Sequence, residues 1–461
     1  MTKTPRRLLT LLLACTLSSS ALAQTLARPR WAGSGMNADP WWKHAVVYHV
    51  NPADFSPSEG SPLRGITQHL DYLHSLGVDA ILLTPIQPDP TQAQAVDPAL
   101  GTLDDLDDLI HQASRHNIRI LLDLAPGTSD AGSPRNLTLV ARFWLNRGIA
   151  GLHLVGAATS APTVPQLAEL RMASSSYLGQ RVILSDLDPS APTYLPQSAN
   201  PTRNPDAPQL LFDPRAGTVP QLSASAIRPA IDAAQSLIQT GRSMPLLVTD
   251  GPAYTRSMSR YADGQNNLPI AKVLATVLLT TGAASQIYYG QELGIAAETP
   301  ASTTPTSNTN PRHPVIQWDA SASSTLGQSI PASSPDATPN VALEEADPSS
   351  LLNWYRRLSE LRHGNATVSS GATITLNHDD QNVLAWVRKP PTVSTISPVL
   401  VVICNLSAQP VQLSLKPDIE RLHLRGSFLR TVLRSDTGRG PMHLDSMTLA
   451  PYAVYIGQLR Y

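Results

Sequence analysis

Residues 66–84 read ITQHLDYLHSLGVDAILLT. In the first part of this stretch the apolar side chains stand at positions 66, 70, 73 and 76, which is the spacing of one face of an amphipathic helix. The stretch Asp79–Thr84 that follows is a short, mainly apolar run of strand length. A helix followed closely by a strand predicts the repeating unit of an α/β fold.

The same alternation continues on both sides of this stretch, from residue 45 to residue 361. Eight runs are predicted to be strands: Ala45–Val50, Asp79–Thr84, Ile118–Asp123, Gly151–Val155, Val182–Asp186, Gln209–Phe212, Leu246–Thr249 and Gln286–Tyr289. Further helical patterns occupy Leu103–Ser114 behind the N-cap candidate Thr102, Asn136–Asn146, Ser225–Thr240, Ile270–Thr281 and Ser349–Leu361. Eight strands alternating with helices predict a (β/α)8 TIM barrel.

Beyond Leu361 the pattern changes to alternating β-type runs, and no helix is evident. These runs are Ala372–Leu376, Val383–Arg388, Pro398–Asn405, Val411–Leu415 and Ala453–Leu459. They predict a C-terminal antiparallel β-sandwich. We therefore divide the chain into a leader over 1–23, an N-terminal lead over 24–40, a barrel over 41–363 and a sandwich over 364–461. Two polar stretches between strand eight and the last barrel helix, Thr299–Asn310 and Ser321–Pro339, are predicted to be surface loops.

The chain carries 34 Lys and Arg against 35 Asp and Glu, a net charge of −1, which excludes nucleic-acid binding through bulk positive charge. Its N-terminus begins with Lys3, Arg6 and Arg7, continues with an apolar run, and reaches the small-residue site Ala21–Ala23. This is the pattern of a secretory signal peptide, so we expect export to the periplasm or the exterior. A lipid anchor at Cys15 is the alternative. We predict no transmembrane helix, because no other stretch approaches 18 uninterrupted apolar residues.

Several ordered blocks carry a family resemblance: Trp41–Tyr48, Leu63–Ile66, Leu70–Leu73, Leu76–Ile81, Ile118–Asp123, Ile287–Gly290, Pro314–Asp319 and Ser349–Arg362. In these blocks the chain resembles the α-amylase clan, glycoside hydrolase family 13, and within it the branch of oligosaccharide α-glucosidases and trehalose synthases. The resemblance implies a barrel followed by a β-sandwich. It also implies retaining hydrolysis, in which one carboxylate attacks the sugar, a carboxylic acid protonates the leaving oxygen and a third carboxylate assists.

The residues that this chemistry needs are replaced in this chain. The family's G-F-R-x-D block at the end of strand four reads GLHLV here, which puts His153 at the place of the arginine and Val155 at the place of the nucleophile. The place of the general acid, at the end of strand five, holds Asp186. The third carboxylate is replaced by Ala253, although a shift of a few residues would recruit Asp250.

The groups that support the sugar site are also reduced. The family's D-x-V-x-N-H block reads DLAPGT, which keeps Asp123 but ends in Thr128. Only Leu124–Ala150 separate strands three and four, so the family's small inserted domain is reduced to a loop and one helix. The loop Ser56–Ser61 offers a single carboxylate where a calcium site needs several oxygen ligands, so we expect no metal, and we expect no cofactor.

These losses favour an exported, amylase-like pseudoenzyme of carbohydrate metabolism that serves as a scaffold or binds glucan. The chain resembles the ancillary glycoprotein of heteromeric amino-acid transporters, which also has this fold without the small inserted domain or the full catalytic set. We find no counterpart of that protein's membrane span in this sequence, so we do not transfer the role. The alternative is a glycoside hydrolase with a relocated carboxylate site at Asp186 and Asp250. The expected ligand is an α-glucan or oligosaccharide, and the sequence identifies no protein partner.

Overall fold

The computed structural model describes residues 40–55, 60–89, 92–124, 137–154, 164–187, 207–241, 243–252, 255–296, 314–319, 339–390 and 398–461. Several predictions fall outside these ranges. They are the leader over 1–23, the anchor alternative at Cys15, the site positions Thr128, Val155 and Ala253, and most of the two surface loops.

Eight parallel strands close into a barrel in chain order, and the eighth pairs with the first. They are β1 (Val46–Val50), β2 (Ala80–Leu83), β3 (Arg119–Leu124), β4 (Gly151–Leu154), β5 (Val182–Asp186), β6 (Leu210–Asp213), β7 (Met244–Leu247) and β8 (Ala284–Tyr288). Each strand begins and ends within two residues of its predicted bounds. The TIM-barrel prediction is therefore confirmed.

The helices of this part of the chain are α1 (Pro52–Phe55), α2 (Pro62–Gln68), α3 (Leu70–Leu76), α4 (Leu103–Arg115), α5 (Leu137–Asn146), α6 (Val164–Ser175), α7 (Ala224–Thr240), α8 (Ser257–Tyr261), α9 (Asn267–Thr280), α10 (Val341–Ala346) and α11 (Leu351–Gly364). The predicted helix over 66–76 is in fact two helices, because the backbone leaves helical geometry at His69. Thr102 caps α4 as predicted, in a reciprocal capping box with Asp105. We did not predict α6, whose apolar side chains do not gather on one face.

The barrel interior contains its own apolar cluster, to which β1, β3 and β5 contribute Val47, Leu121 and Leu184. Side chains alternate between the two faces of a strand, so the residue two positions later points to the same side. The next inward positions on these strands are therefore His49, Asp123 and Asp186. This periodicity brings polar groups together at the carboxyl ends of the barrel strands, directly above an apolar layer.

The C-terminal part contains a six-stranded antiparallel sheet, in the order β14-β13-β16-β11-β10-β9, and a two-stranded sheet, β12-β15. The strands are β9 (Ala372–Leu376), β10 (Val383–Lys389), β11 (Leu400–Asn405), β12 (Val411–Leu413), β13 (Phe428–Arg434), β14 (Met442–His443), β15 (Met447–Leu449) and β16 (Val454–Arg460). The five predicted strands are confirmed. The expectation that no helix follows Leu361 is wrong, because α11 extends to Gly364 and is followed by two short helices, α12 (Ala366–Ser370) and α13 (Lys416–Arg421).

Buried arginines join the C-terminal sheet to the barrel. Arg228 of α7 donates hydrogen bonds to the backbone carbonyls of His378, Asp380 and Val383 at 2.8–3.0 Å. Arg388 of β10 points the other way and donates to the carbonyl of Thr281. Apolar side chains of the barrel and of the sheet also form one continuous core cluster. Among the described helices, none is long and apolar enough to cross a membrane.

Candidate functional site

A chain of hydrogen-bonded side chains lies across the carboxyl ends of β3, β4 and β5. Nδ1 of His153 is 2.7 Å from Oδ1 of Asp123, and Nε2 of the same ring is 3.3 Å from Oδ1 of Asp186. The three residues sit on neighbouring strands, with Asp123 opposite His153 in the strand register. One imidazole therefore joins two carboxylates.

His49 extends this chain toward β1. Its Nε2 is 3.2 Å from Oδ2 of Asp123, so the Asp123 carboxylate is held between two imidazole rings. His49, Asp123 and His153 are all buried, whereas the side chain of Asp186 is 54% exposed. Solvent therefore reaches this four-residue chain at its Asp186 end.

The hydrogen-bonded side chains of this site hold charged groups in a buried environment. Burial acts to raise the pKa of Asp123, but the neighbouring His153 and His49 overcome it and lower that pKa to about 2. Burial acts to lower the pKa of His153, but Asp123, with a smaller contribution from Asp186, raises it to about 9. At neutral pH His153 is thus an imidazolium that donates from both nitrogens.

Aromatic rings surround this chain. Phe212, at the end of β6, lies over His153 with ring centroids 4.2 Å apart, and Tyr288 of β8 meets the edge of His49 at 5.7 Å. Phe212 and Tyr288 are both buried. The two rings therefore border the hydrogen-bonded residues from β6 and β8. Neither ring is predictable as part of the site from the sequence, because the hydrophobic pattern alone marks both as core.

Asp250 lies just after β7 in a different environment. It is buried, its Oδ2 accepts hydrogen bonds from the hydroxyls of Ser257 at 2.7 Å and Thr249 at 3.3 Å, and its Oδ1 accepts from the backbone N–H of Ser257. Burial raises the pKa of this carboxyl, and the hydrogen bonds from Ser257 oppose that rise. The carboxylate thus binds the first turn of α8. The structure does not place it in the hydrogen-bonded chain that holds Asp186.

Several buried polar atoms have no hydrogen-bond partner among the described residues, and they include Nδ1 of His49 and Oε1 of Gln286 in the barrel strands. Such atoms are normally satisfied by a water or a ligand group. Metal binding has no comparable support, since no group of three or more His, Cys, Asp or Glu side chains in the described ranges is arranged to hold an ion.

Comparison with known proteins identifies related sequences. The family model described as alpha amylase, catalytic domain, matches residues 47–131 and 220–371, which together make just over half of the chain. The interval from 132 to 219 is unmatched, and it contains β4, β5 and β6 with His153, Asp186 and Phe212. The similarity is thus interrupted over the strands that carry much of the site.

Individual relatives agree with the family match. The chain is 27% identical over 376 residues to the amino acid transporter heavy chain SLC3A2 of Oryctolagus cuniculus, an alignment that spans 76% of this chain and 64% of the relative. It is 47% identical over 95 residues to the trehalose-6-phosphate hydrolase of Escherichia coli, which spans 18% of this chain and 17% of the hydrolase. The chain thus covers less than two thirds of either relative.

Solved structures share the fold. Trehalose-6-phosphate hydrolase of Bacillus licheniformis superposes with a TM-score of 0.75 at 18% identity, and covers 92% of this chain and 100% of that chain. Trehalulose synthase of Pseudomonas mesoacidophila gives 0.73 at 20% identity with the same two coverages. At this identity the likeness supports the barrel and the C-terminal sheet, and nothing finer.

Proposed function

Since the chain belongs to the α-amylase catalytic-domain family, we propose that it is an exported carbohydrate-binding or scaffold member of that family which does not perform retaining hydrolysis. The family membership rests on the match over residues 47–131 and 220–371. The name of the trehalose-6-phosphate hydrolase relative supports an α-glucosidic oligosaccharide as the ligand class.

One observation carries the proposal: the carboxylates of Asp123 and Asp186 are both hydrogen-bonded to the imidazole ring of His153. A retaining glycosidase needs two carboxyl groups about 5–5.5 Å apart with the scissile bond between them. Here Asp186, at the place of the general acid, contacts the His153 ring that stands at the place of the arginine, and Phe212 lies against that ring in a tilted arrangement. Asp123 and Asp186 thus contact one shared ring and do not form an acid–nucleophile pair that faces an open cleft.

The sequence supports the same conclusion at the two places that the structure does not describe. Valine at position 155 has no group that could form a covalent glycosyl intermediate, and alanine at 253 has no charge to stabilise one. Of the carboxylates Asp123, Asp186 and Asp250, only Asp186 is exposed. A single exposed carboxylate can accept hydrogen bonds from sugar hydroxyls, but it does not make an acid–nucleophile pair.

The proposal is tested by incubating the purified chain with maltose, isomaltose, sucrose, trehalose and starch. We expect no release of sugar above a blank, and no mass increase after treatment with an activated 2-fluoroglucoside that traps a covalent glycosyl-enzyme. Calorimetric titration with the same sugars then separates the two remaining roles. Heat of binding that is lost in Asp186→Ala indicates a carbohydrate-binding module, whereas no binding favours the scaffold.

Export is the second part of the proposal, and it rests on the charged start, apolar run and small-residue site of residues 1–23. Mass spectrometry of the protein from its native host tests it. We expect a mature chain that begins near Gln24. A chain that keeps Met1 would contradict export, and a lipid on Cys15 would show the anchored form instead.

The scaffold role has its own support. One relative whose alignment spans most of this chain is an amino acid transporter heavy chain, whereas the trehalose-6-phosphate hydrolase alignment spans under a fifth of it. Buried rings and the His49–Asp123 and His153–Asp123 ion pairs pack at the strand ends, and such packed interiors resist deformation. Isolation of a stoichiometric protein complex from native membranes or periplasm, together with absent sugar binding, would favour this role.

A further inference from the structure

Two arginines of the C-terminal sheet converge on one neutral acceptor. Nη2 of Arg430 lies 2.6 Å, and Nη2 of Arg460 lies 2.9 Å, from Oε1 of Gln458. The two guanidinium nitrogens are therefore at most 5.5 Å apart, because both approach the same oxygen. Two like charges at this separation repel each other, and an amide oxygen compensates only part of that repulsion.

The sheet register holds these side chains on one face. Arg430 of β13 pairs with Gln458 of β16, and Phe428 pairs with Arg460. Residues 458 and 460 share a face because they are two apart on one strand. Val454 and Ile456 on that face of β16 are buried in the core cluster that extends into the barrel. Gln458 and Arg460 therefore lie on the same face of β16 as these core residues, at the end of the strand that extends beyond the core.

Two other arginines of the C-terminal part have acidic partners. Arg421 of α13 pairs with Asp418, and Arg434 of β13 pairs with Asp436. Within the part of the chain that the structure describes, no carboxylate lies within ion-pair distance of Arg430 or Arg460. Residues 364–461 contain nine Lys and Arg against six Asp and Glu, whereas the whole chain is close to neutral. Arg430 of β13 and Arg460 of β16 thus contribute to this excess of positive charge without an acidic partner among the described residues.

Aromatic side chains border the pair. Phe428 and His443 lie opposite each other on β13 and β14, with ring centroids 6.3 Å apart. Phe428 is also the register partner of Arg460. The arginines thus have a semi-apolar border on one side, and the amide nitrogen of Gln458 is a further potential donor between them.

We propose that this surface, defined by Arg430, Gln458 and Arg460 with Phe428 and His443 at its border, binds a phosphate or sulfate group of a soluble ligand. Guanidinium groups match the oxygens of tetrahedral oxyanions, and two convergent guanidiniums supply donors from two directions. A bound dianion offsets the repulsion between the two guanidinium groups that the amide oxygen of Gln458 compensates only in part. A membrane surface would need a broader cluster of four to eight basic residues, and this one is a point-like pair. The inference is independent of the barrel site.

Inorganic phosphate and sulfate are the probes for this proposal. The protein is labelled with 15N at arginine, and the Nε–Hε resonances are followed at low ionic strength as each anion is added. We expect the resonances of Arg430 and Arg460 to move together, and added salt to weaken the effect. Each of Arg430→Gln and Arg460→Gln should weaken binding by about tenfold, since each removes charge-assisted hydrogen bonds.

Two further variants make the test decisive. Gln458→Glu places a carboxylate between the arginines, so we expect it to abolish anion binding without loss of thermal stability. Arg439→Gln removes an exposed arginine of the same sheet region and should leave binding unchanged. If phosphate moves no Arg430 or Arg460 resonance, or if Arg439→Gln weakens binding as much as Arg430→Gln, the proposal is wrong.

The source of the oxyanion is tested by sedimentation with phosphatidylglycerol vesicles, with phosphatidylcholine vesicles as the comparison. We expect no sedimentation above the comparison. Sedimentation with phosphatidylglycerol that Gln458→Glu abolishes, while free phosphate moves no arginine resonance, would overturn the assignment to a soluble ligand.

Discussion

Nδ1 of His153 lies 2.7 Å from Oδ1 of Asp123, and the two residues face each other from neighbouring strands of the barrel. The family resemblance places an arginine, which stays charged at every accessible pH, where this chain has His153. An imidazole carries the same positive charge only while it is protonated. The charge balance at the carboxyl end of β4 is therefore open to change with pH, as it would not be in a member that keeps the arginine.

The first prediction concerns the pH dependence of stability. The pKa of His153 is raised to about 9 in the folded chain, so its contribution is fully present below its unfolded pKa of about 6.5 and is lost as pH rises through 9. The pKa of Asp123 is lowered to about 2, so its contribution is present above about 3.9 and is lost as pH falls through 2. We expect maximal stability from this pair between about pH 4 and 6.5.

The measurement is the free energy of unfolding in urea between pH 6 and 9.5. The wild type should lose up to about 1.4 kcal/mol per pH unit on the alkaline side through this residue, and His153→Gln should lose much less. His116→Gln is the matched control, because it removes a histidine that pairs with the exposed Asp71 at 3.0 Å. It should keep the wild-type slope. An equal slope in His153→Gln would show that another group causes the loss.

The barrel was predictable from sequence for a physical reason. Its strands are buried on both faces, so they appear as short apolar runs such as Val182–Asp186, and parallel strands need helical connections of a length that the pattern also shows. β13 was missed because it lies toward the solvent-exposed end of its sheet and carries arginines at 430 and 434 within the strand. In that stretch a β-bulge between Thr431 and Leu433 also interrupts the period-two alternation, although the strand is well paired.

The site was predictable only in part. Asp186 ends β5 and His153 lies one residue before the end of β4, so both could be placed, since strand ends meet on one face of a barrel. The contact between His49 and Asp123 joins residues 74 positions apart, and nothing in the local sequence indicates it. For Asp250 the difficulty is different. Its partner Ser257 is near in sequence, but the burial of Asp250 depends on packing around α8, which the sequence does not show. Non-local geometry decides which carboxylates face solvent.

The second prediction tests how the sheet docks on the barrel. Gly282 and Gly241 both have positive φ, at 85° and 66°, so alanine is strained at both. A Cβ at 282 would also collide with the buried guanidinium of Arg388, whereas a Cβ at 241 would meet no atom within 4 Å. We expect Gly241→Ala to cost about 1 kcal/mol and Gly282→Ala about 1–3 kcal/mol more, measured by urea unfolding. Equal costs would mean that Arg388 moves aside freely.

The third prediction concerns restoration of the family's carboxylates. The triple variant Val155→Asp, Asp186→Glu, Ala253→Asp should show no hydrolysis of maltose or isomaltose above the wild-type background. His153 would still stand in place of the arginine, Thr128 in place of the histidine, and catalytic groups of this kind act as a unit rather than additively. The variant should be compared with the wild type at equal folded fraction, judged by circular dichroism. Turnover in the folded triple variant would show that the remaining groups are sufficient.

The last prediction separates the two carboxylates of the alternative, relocated hydrolase. Asp250 is buried and accepts from both the N–H and the hydroxyl of Ser257, so Asp250→Asn should destabilise the chain by about 1–3 kcal/mol. Asp186 is half-exposed, and its one side-chain contact within the described ranges is with the far nitrogen of His153 at 3.3 Å, so Asp186→Asn should change stability by less than about 0.5 kcal/mol. Unfolding midpoints and sugar release are measured on both variants. A wild-type turnover that both substitutions abolish, at unchanged midpoints, would support the relocated site, because a water-activating pair has to lie across an open cleft with its carboxyl groups about 6.5–9.5 Å apart. The buried contacts of Asp250 with α8 lead us to expect the unequal result.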